Sequence, residues 1–141
     1  MALRSLRSIV AGQPPATAEK SATVFEAALL MKAQGKGALL VVDGTRLIGI
    51  FTERDALLRV IAARLDPATT RLADVMTAHP QTMSPDEPFL KALRLMHSRG
   101  FRHLPVVEHG RPIGVVSARD ALDDDLYELR VDLAQRGDER D

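Results

Sequence analysis

Apolar positions recur at helical spacing in two places along the chain. Val24, Ala27, Ala28 and Met31 form one stripe, and Phe89, Ala92, Leu93 and Met96 form another. Steps of three and four put each set on one face, which predicts amphipathic helices over TVFEAALLMKAQG and PFLKALRLMHSRG. Gly35 and Gly100 follow, where a helix end favours a left-handed residue. After each helix comes a continuous apolar run, ALLVV or HLPVV, then a turn, DGT or EHG, then a second run, RLIGIF or RPIGVV. These predict two hairpins. Second amphipathic helices are expected over TERDALLRVIAARL and SARDALDDDLYELRVDL, and short extended pieces, QPPATAEKSA and HPQTMSPDEP, precede the first helices. The predicted order is strand, helix, strand, strand, helix, twice over, an α/β (α+β) fold.

The two halves are copies. Asp55 aligns with Asp120, 65 residues on, and the same offset aligns Gly49 with Gly114, Val41-Val42 with Val106-Val107, Gly35 with Gly100 and Pro15 with Pro80 without a gap. That period is too long for a solenoid unit of about 20–50 residues. It fits two repeats, 1–65 and 66–141, related by a pseudo-twofold axis and burying one shared face. The charged tail AQRGDERD is expected to fray.

Composition narrows the function. Lys plus Arg and Asp plus Glu both number 19, so net charge gives no pull toward nucleic acid or an anionic membrane. Cysteine is absent, which removes disulfides and thiolate chemistry. No apolar run approaches the roughly 18 residues of a membrane span, and the start is too polar for a signal peptide. A soluble, cytoplasmic protein is expected. The four histidines, His79, His97, His103 and His109, have no zinc spacing, so no metal site is expected. His97 is expected on a helix surface and His109 in a turn. No nucleophile elbow or Walker loop appears.

One phrase does invite chemistry: GIFTERDALL at 49–58 and GVVSARDALD at 114–123. Thr52 and Ser117 suit a helix N-cap, and Asp55 and Asp120, three residues on, suit the position that completes a capping box. Gly49 and Gly114 would allow close packing. The same arrangement suits a ligand. A strand end feeding a helix start offers N–H groups to phosphate, the hydroxyl can reach phosphate or ribose, and the carboxylate can accept ribose hydroxyls. Arg54 and Arg119 add fixed positive charge. Repetition of the whole phrase, with identities reaching back through the hairpin, exceeds what capping requires.

Gly-apolar-apolar-Thr/Ser-x-x-Asp written twice, with ADVMTAHPQTMSPDEP opening the second copy and GFRHLPVVEHGRPIGVVSARDAL completing it, resembles the cystathionine-β-synthase (CBS) domain pair. The likeness runs from about Leu6 to Leu126. It implies two β-α-β-β-α repeats packed through their sheets, with adenosine sites in the clefts. Family members bind AMP, ADP, ATP, NAD or S-adenosylmethionine. Carried over, Asp55 and Thr52 would work with Pro80, Gln81 and Thr82, and Asp120 and Ser117 with Pro15, Ala16 and Thr17. Arg102 and His103 match positions that contact phosphate in some members. Gly37 and Ala38 stand there in the first copy, so the two sites are unequal.

The expected function is a stand-alone regulatory module that senses an adenosine nucleotide and signals through its conformation or through a protein partner. It is not expected to be an enzyme. The alternative is an interaction or scaffold dimer with vestigial sites. A homodimer is expected because Leu57, Leu58, Ile61, Leu122, Leu126 and Leu129 exceed what one core would cover. No nucleic acid or membrane partner is expected.

Overall fold

A computed structural model describes residues 3–137 of the chain. In order, its elements are α1 (Leu6–Val10), β1 (Thr17–Glu19), α2 (Val24–Gln34), β2 (Ala38–Asp43), β3 (Arg46–Thr52), α3 (Glu53–Asp55) running into a π-helical segment (Ala56–Ile61), α4 (Leu72–Val75), β4 (Thr77–Ala78), α5 (Phe89–Arg99), β5 (His103–Glu108), β6 (Arg111–Ser117), a 3₁₀ turn (Ala118–Asp120) and α6 (Asp123–Gln135). The mixed α+β class is as expected.

Local chemistry explains the regular elements. Thr23 caps α2 in a complete capping box with Glu26, and Gly35 ends it at φ 62°. Gly100 ends α5 at φ 77°. Gly is favoured at both because a left-handed residue there costs it nothing sterically. Val24, Ala27 and Met31 are buried on α2 as predicted, but Ala28 is exposed. All four predicted positions on α5 are buried. The hairpin β5–β6 turns through His109 (φ 54°) and Gly110 (φ 78°).

The chain forms two compact units that are discontinuous in sequence. One comprises the chain up to Gln13, Thr82–Glu108 and the chain from Ile113 on; the other comprises Pro14–Gln81 with the hairpin tip His109–Pro112. We call them the Asp120 unit and the Asp55 unit. In the Asp55 unit, the sheet runs β1-β2-β3-β4, with β1 parallel to β2 and the other pairs antiparallel. Its core holds Val24, Ala27, Met31, Leu39, Val41, Phe51 and Val60, with Leu72 and Val75 of α4. In the Asp120 unit, β5 and β6 form the sheet, and the predicted first strand shrinks to one parallel bridge, Met83 with Val106. Its core holds Phe89, Ala92, Leu93, Met96, Leu104, Val106 and Val116, with Leu6, Ile9 and Val10 of α1.

The opening helices are therefore exchanged between the sequence copies. The same three backbone hydrogen bonds fasten each one. Leu72 and Ala73 donate to Ala22 and Lys20 at 2.9 and 3.1 Å, and Val24 donates to Thr70 at 2.9 Å. Leu6 and Arg7 donate to Glu87 and Pro85 at 3.0 and 2.8 Å, and Phe89 donates to Arg4 at 2.7 Å.

The predicted second helices differ from expectation. After Asp55, the bonding slips to a π register, with Ala62 donating to Leu57 and Leu65 to Val60, both at 2.9 Å. After Asp120, the chain breaks. Ala121 and Leu122 are extended, and α6 restarts at Asp123. The acidic run explains the restart. Asp125 accepts the Leu122 N–H at 2.8 Å and pairs with Arg4, and three aspartates in a first turn favour a helix start there. His97 is half-buried rather than on the helix surface, and its Nε2 is a buried atom without a hydrogen bond.

Candidate functional site

In the Asp55 unit, β3 carries Thr52 to the start of α3. Thr52 Oγ1 accepts the Asp55 N–H at 3.3 Å. The Asp55 carboxylate turns back, so that Oδ2 accepts the Thr52 N–H at 2.9 Å and the Thr52 hydroxyl at 3.2 Å. Its other oxygen, Oδ1, accepts the Thr77 hydroxyl at 3.3 Å and faces Arg59 Nε at 3.5 Å. Asp55 is 7% exposed, the one buried charged residue among those described. A buried carboxylate needs such partners, since an uncompensated charge is costly. Arg59 also donates to the Met76 carbonyl at 3.0 Å.

In the Asp120 unit, the phrase closes in the same way with fewer partners. Asp120 Oδ2 accepts the Ser117 N–H at 2.7 Å, and Ser117 Oγ accepts the Arg119 N–H at 3.2 Å. Asp120 is half-buried, and its carbonyl lies 3.4 Å from Arg4 Nη1. Thr77 stands five residues after Leu72; five residues after Leu6 stands Ala11, which has no hydroxyl to offer. Thr77 was not among the residues expected at the site. It arrives on β4, where Ile50 pairs with Thr77 and Gly49 with Ala78.

The glycines of the phrase serve packing. A Cβ on Gly49 would overlap Met76 Sδ, and one on Gly114 would overlap Val10 Cβ and Cγ1. The exchanged helices thus end against these two positions.

The other expected residues divide by unit. Pro80, half-buried, and Gln81, exposed, follow β4 in the Asp55 unit. Thr82, exposed, belongs to the Asp120 unit, next to the bridge residue Met83. Pro15, Ala16 and Thr17 belong to the Asp55 unit. Ala16 is buried and its carbonyl accepts the Leu40 N–H at 2.9 Å, while Thr17 is exposed in β1. Arg54 and Arg119 are exposed in the first turn of their phrases. Half-buried His103 opens β5 and exposed Arg102 immediately precedes it, in the unit that holds Ser117 and Asp120. Among the described residues, no helix is long and apolar enough to cross a membrane.

Comparison with known proteins accounts for this doubled architecture. The CBS domain model matches residues 6–62 and 72–126. An Arabidopsis thaliana CBS domain-containing protein, CBSCBSPB2, is 38% identical over 114 residues, which is 80% of this chain and 21% of that protein. The chain thus spans about a fifth of the length of the curated relatives it matches first. A CBS domain protein of Pyrobaculum aerophilum, solved in complex with AMP, superposes with a TM-score of 0.81 at 26% identity, covering 90% of this chain and 98% of that one. The CBS domain pair of the protein MJ0100, solved with 5′-methylthioadenosine and S-adenosyl-L-methionine, gives 0.73 at 26% identity, covering 82% and 94%. Two matched copies, each ending in its own hydroxyl–carboxylate phrase, place the chain in the CBS domain family as a tandem pair.

Proposed function

We propose that the chain is a regulatory module that senses an adenosine nucleotide and has no catalysis of its own. The observation that carries this reading is the doubled Thr52–Asp55 and Ser117–Asp120 arrangement. It occurs in a fold whose neighbours were solved with AMP, and with 5′-methylthioadenosine and S-adenosylmethionine. Asp55 and Asp120 would take the ribose hydroxyls, Thr52 and Ser117 the ribose or phosphate, and Arg54, Arg119, Arg102 and His103 the phosphate. Pro80, Gln81 and Thr82, and Pro15, Ala16 and Thr17, would flank the base. At Asp55, a ribose would compete with Thr77 and Arg59, the longest contacts, while Oδ2 keeps the capping box closed. The signal would pass through conformation, a protein partner or a homodimer. Leu57, Leu58 and Ile61 are 50–67% exposed, and Leu122, Leu126 and Tyr127 45–60%. Leu129 instead packs partly against a core.

A second reading, a scaffold dimer with vestigial sites, draws on the same Asp55 contacts, which satisfy the carboxylate with protein donors. Thermal denaturation separates the two. AMP, ADP, ATP, NAD or S-adenosylmethionine at a hundredfold excess over its Kd should stabilise the protein by about 2.7 kcal/mol. If none of these shifts the melt, and native mass spectrometry finds no co-purified nucleotide, the vestigial reading stands.

A further inference from the structure

Both units make the same backbone bond where the hairpin meets the phrase. Glu53 donates to the Gly37 carbonyl at 3.1 Å, and Ala118 donates to the Arg102 carbonyl at 3.4 Å. Gly37 and Arg102 are equivalent positions, 65 apart, as are Glu53 and Ala118. The side chains at these corners are exchanged, glycine with glutamate in one and arginine with alanine in the other. The exchange is sterically linked. A Cβ on Gly37 would overlap Glu53 Oε1, with Cδ at 3.1 Å and Cγ at 3.6 Å. Gly37 has no positive φ, so its backbone would accept another residue; the glycine supplies room for the glutamate folded across it. Other charges in the two phrases match, Arg54 with Arg119 and Asp55 with Asp120. Lys36, next to Gly37, donates its ammonium to the Pro14 carbonyl at 3.1 Å. One corner therefore presents a carboxylate where the other presents a guanidinium.

We propose that Glu53 excludes anions from its corner, so that the chain binds one phosphate-bearing adenosine ligand, at the Arg102 corner. The Gly37–Glu53 corner admits adenosine compounds without a phosphate, so the phosphate role given above to Arg54, in the same turn as Glu53, falls away. A phosphate at Arg102 gains charge-assisted bonds from a planar fork of donors. At Glu53 it meets a side chain of like charge. The inference rests on the adenosine reading and concerns which ligand each corner takes.

Titration calorimetry with AMP and with adenosine tests it. The wild-type chain is expected to take up one AMP and two adenosines. Arg102→Gly should weaken AMP at least about tenfold while leaving adenosine unchanged. The Gly37→Arg/Glu53→Ala double variant, which copies the other corner, should bind two AMP. Glu53→Gln, which keeps the size and loses the charge, should show a second, weaker AMP event, and Glu53→Asp should not. Two equivalent AMP sites in the wild type, or a single AMP bound by both Glu53→Gln and the double variant, would overturn the exclusion and leave the sensing function standing. If neither AMP nor adenosine binds the wild type, the sensing function falls, and this inference with it.

Discussion

Asp55→Ala should destabilise the ligand-free protein far more than Asp120→Ala, although the two residues occupy equivalent positions. Asp55 is 7% exposed and accepts three hydrogen bonds, from the Thr52 N–H, the Thr52 hydroxyl and the Thr77 hydroxyl. Loss of a capping interaction costs about 1 kcal/mol. Leaving the Thr52 and Thr77 donors half-buried without an acceptor adds about 2 kcal/mol. The Arg59 contact adds little, because its side chain is 51% exposed and remains solvated. The sum is about 3 kcal/mol, or roughly 9 °C in Tm for a chain of this size. Asp120 is half-buried, and its carboxylate takes the Ser117 N–H. Its loss should cost about 1 kcal/mol, roughly 3 °C. Urea and thermal denaturation without nucleotide would measure both, and Thr77→Val should account for about 1 kcal/mol of the difference. Equal losses at the two aspartates, or a larger loss at Asp120, would refute the idea that burial and Thr77 set their different roles.

Three further outcomes follow from packing, charge and exposure. Gly114→Ala drives a Cβ into the branched side chain of Val10 and should cost about 1–3 kcal/mol, whereas Gly49→Ala meets first the flexible end of Met76 and should cost less; urea midpoints would rank them. The Lys91 ammonium and the Ser84 N–H hold Glu87 below its ordinary value, and the Thr23 N–H and then the Thr23 hydroxyl do the same for Glu26. Both groups favour the folded state above the ordinary glutamate value and lose that contribution as pH falls through the lowered one, so Glu87→Gln should flatten the acid limb of Tm against pH. Ile61, 67% exposed beside Leu57 and Leu58, should drive association, so light scattering should find a dimer for the wild type and a monomer for Ile61→Glu.

The parts of the fold legible in the sequence are those whose causes are local. The α2 and α5 stripes, the two glycine caps and the hairpins each depend on residues a few positions apart. Helices α1 and α4 do not. They are five and four residues long, too short for a periodic signal, and their anchoring bonds reach from Leu6 to Glu87 and from Leu72 to Ala22. The π register after Asp55 and the break after Asp120 also escaped the pattern, because the shared phrase ends just where the copies diverge into ALLRVI and ALDDDL. There the sequence that follows decides, through Asp125 and Arg4 in the second copy.

The site was half legible for a related reason. Thr52 with Asp55, and Ser117 with Asp120, can be read from capping geometry, since the hydroxyl and the carboxylate sit three residues apart. Thr77 could not be read that way, because it reaches Asp55 from the opening segment of the other sequence copy. The aspect of Glu53 that matters here was hidden as well. A glutamate in a first helical turn is ordinary dipole chemistry, and only its contact across Gly37 gives it a second meaning. Both omissions bear on the same point. The phrase is nearly identical in the two copies, but the surroundings that set its charge and its free hydrogen-bonding capacity come from elsewhere in the chain. On the proposed function Asp55 would have to release Thr77 and Arg59 to meet a ribose, whereas the carboxylate bond described for Asp120 is to the Ser117 N–H of its own phrase. Two copies of one motif can therefore hold different ligands, or hold one ligand with different affinity, without any change within the motif itself.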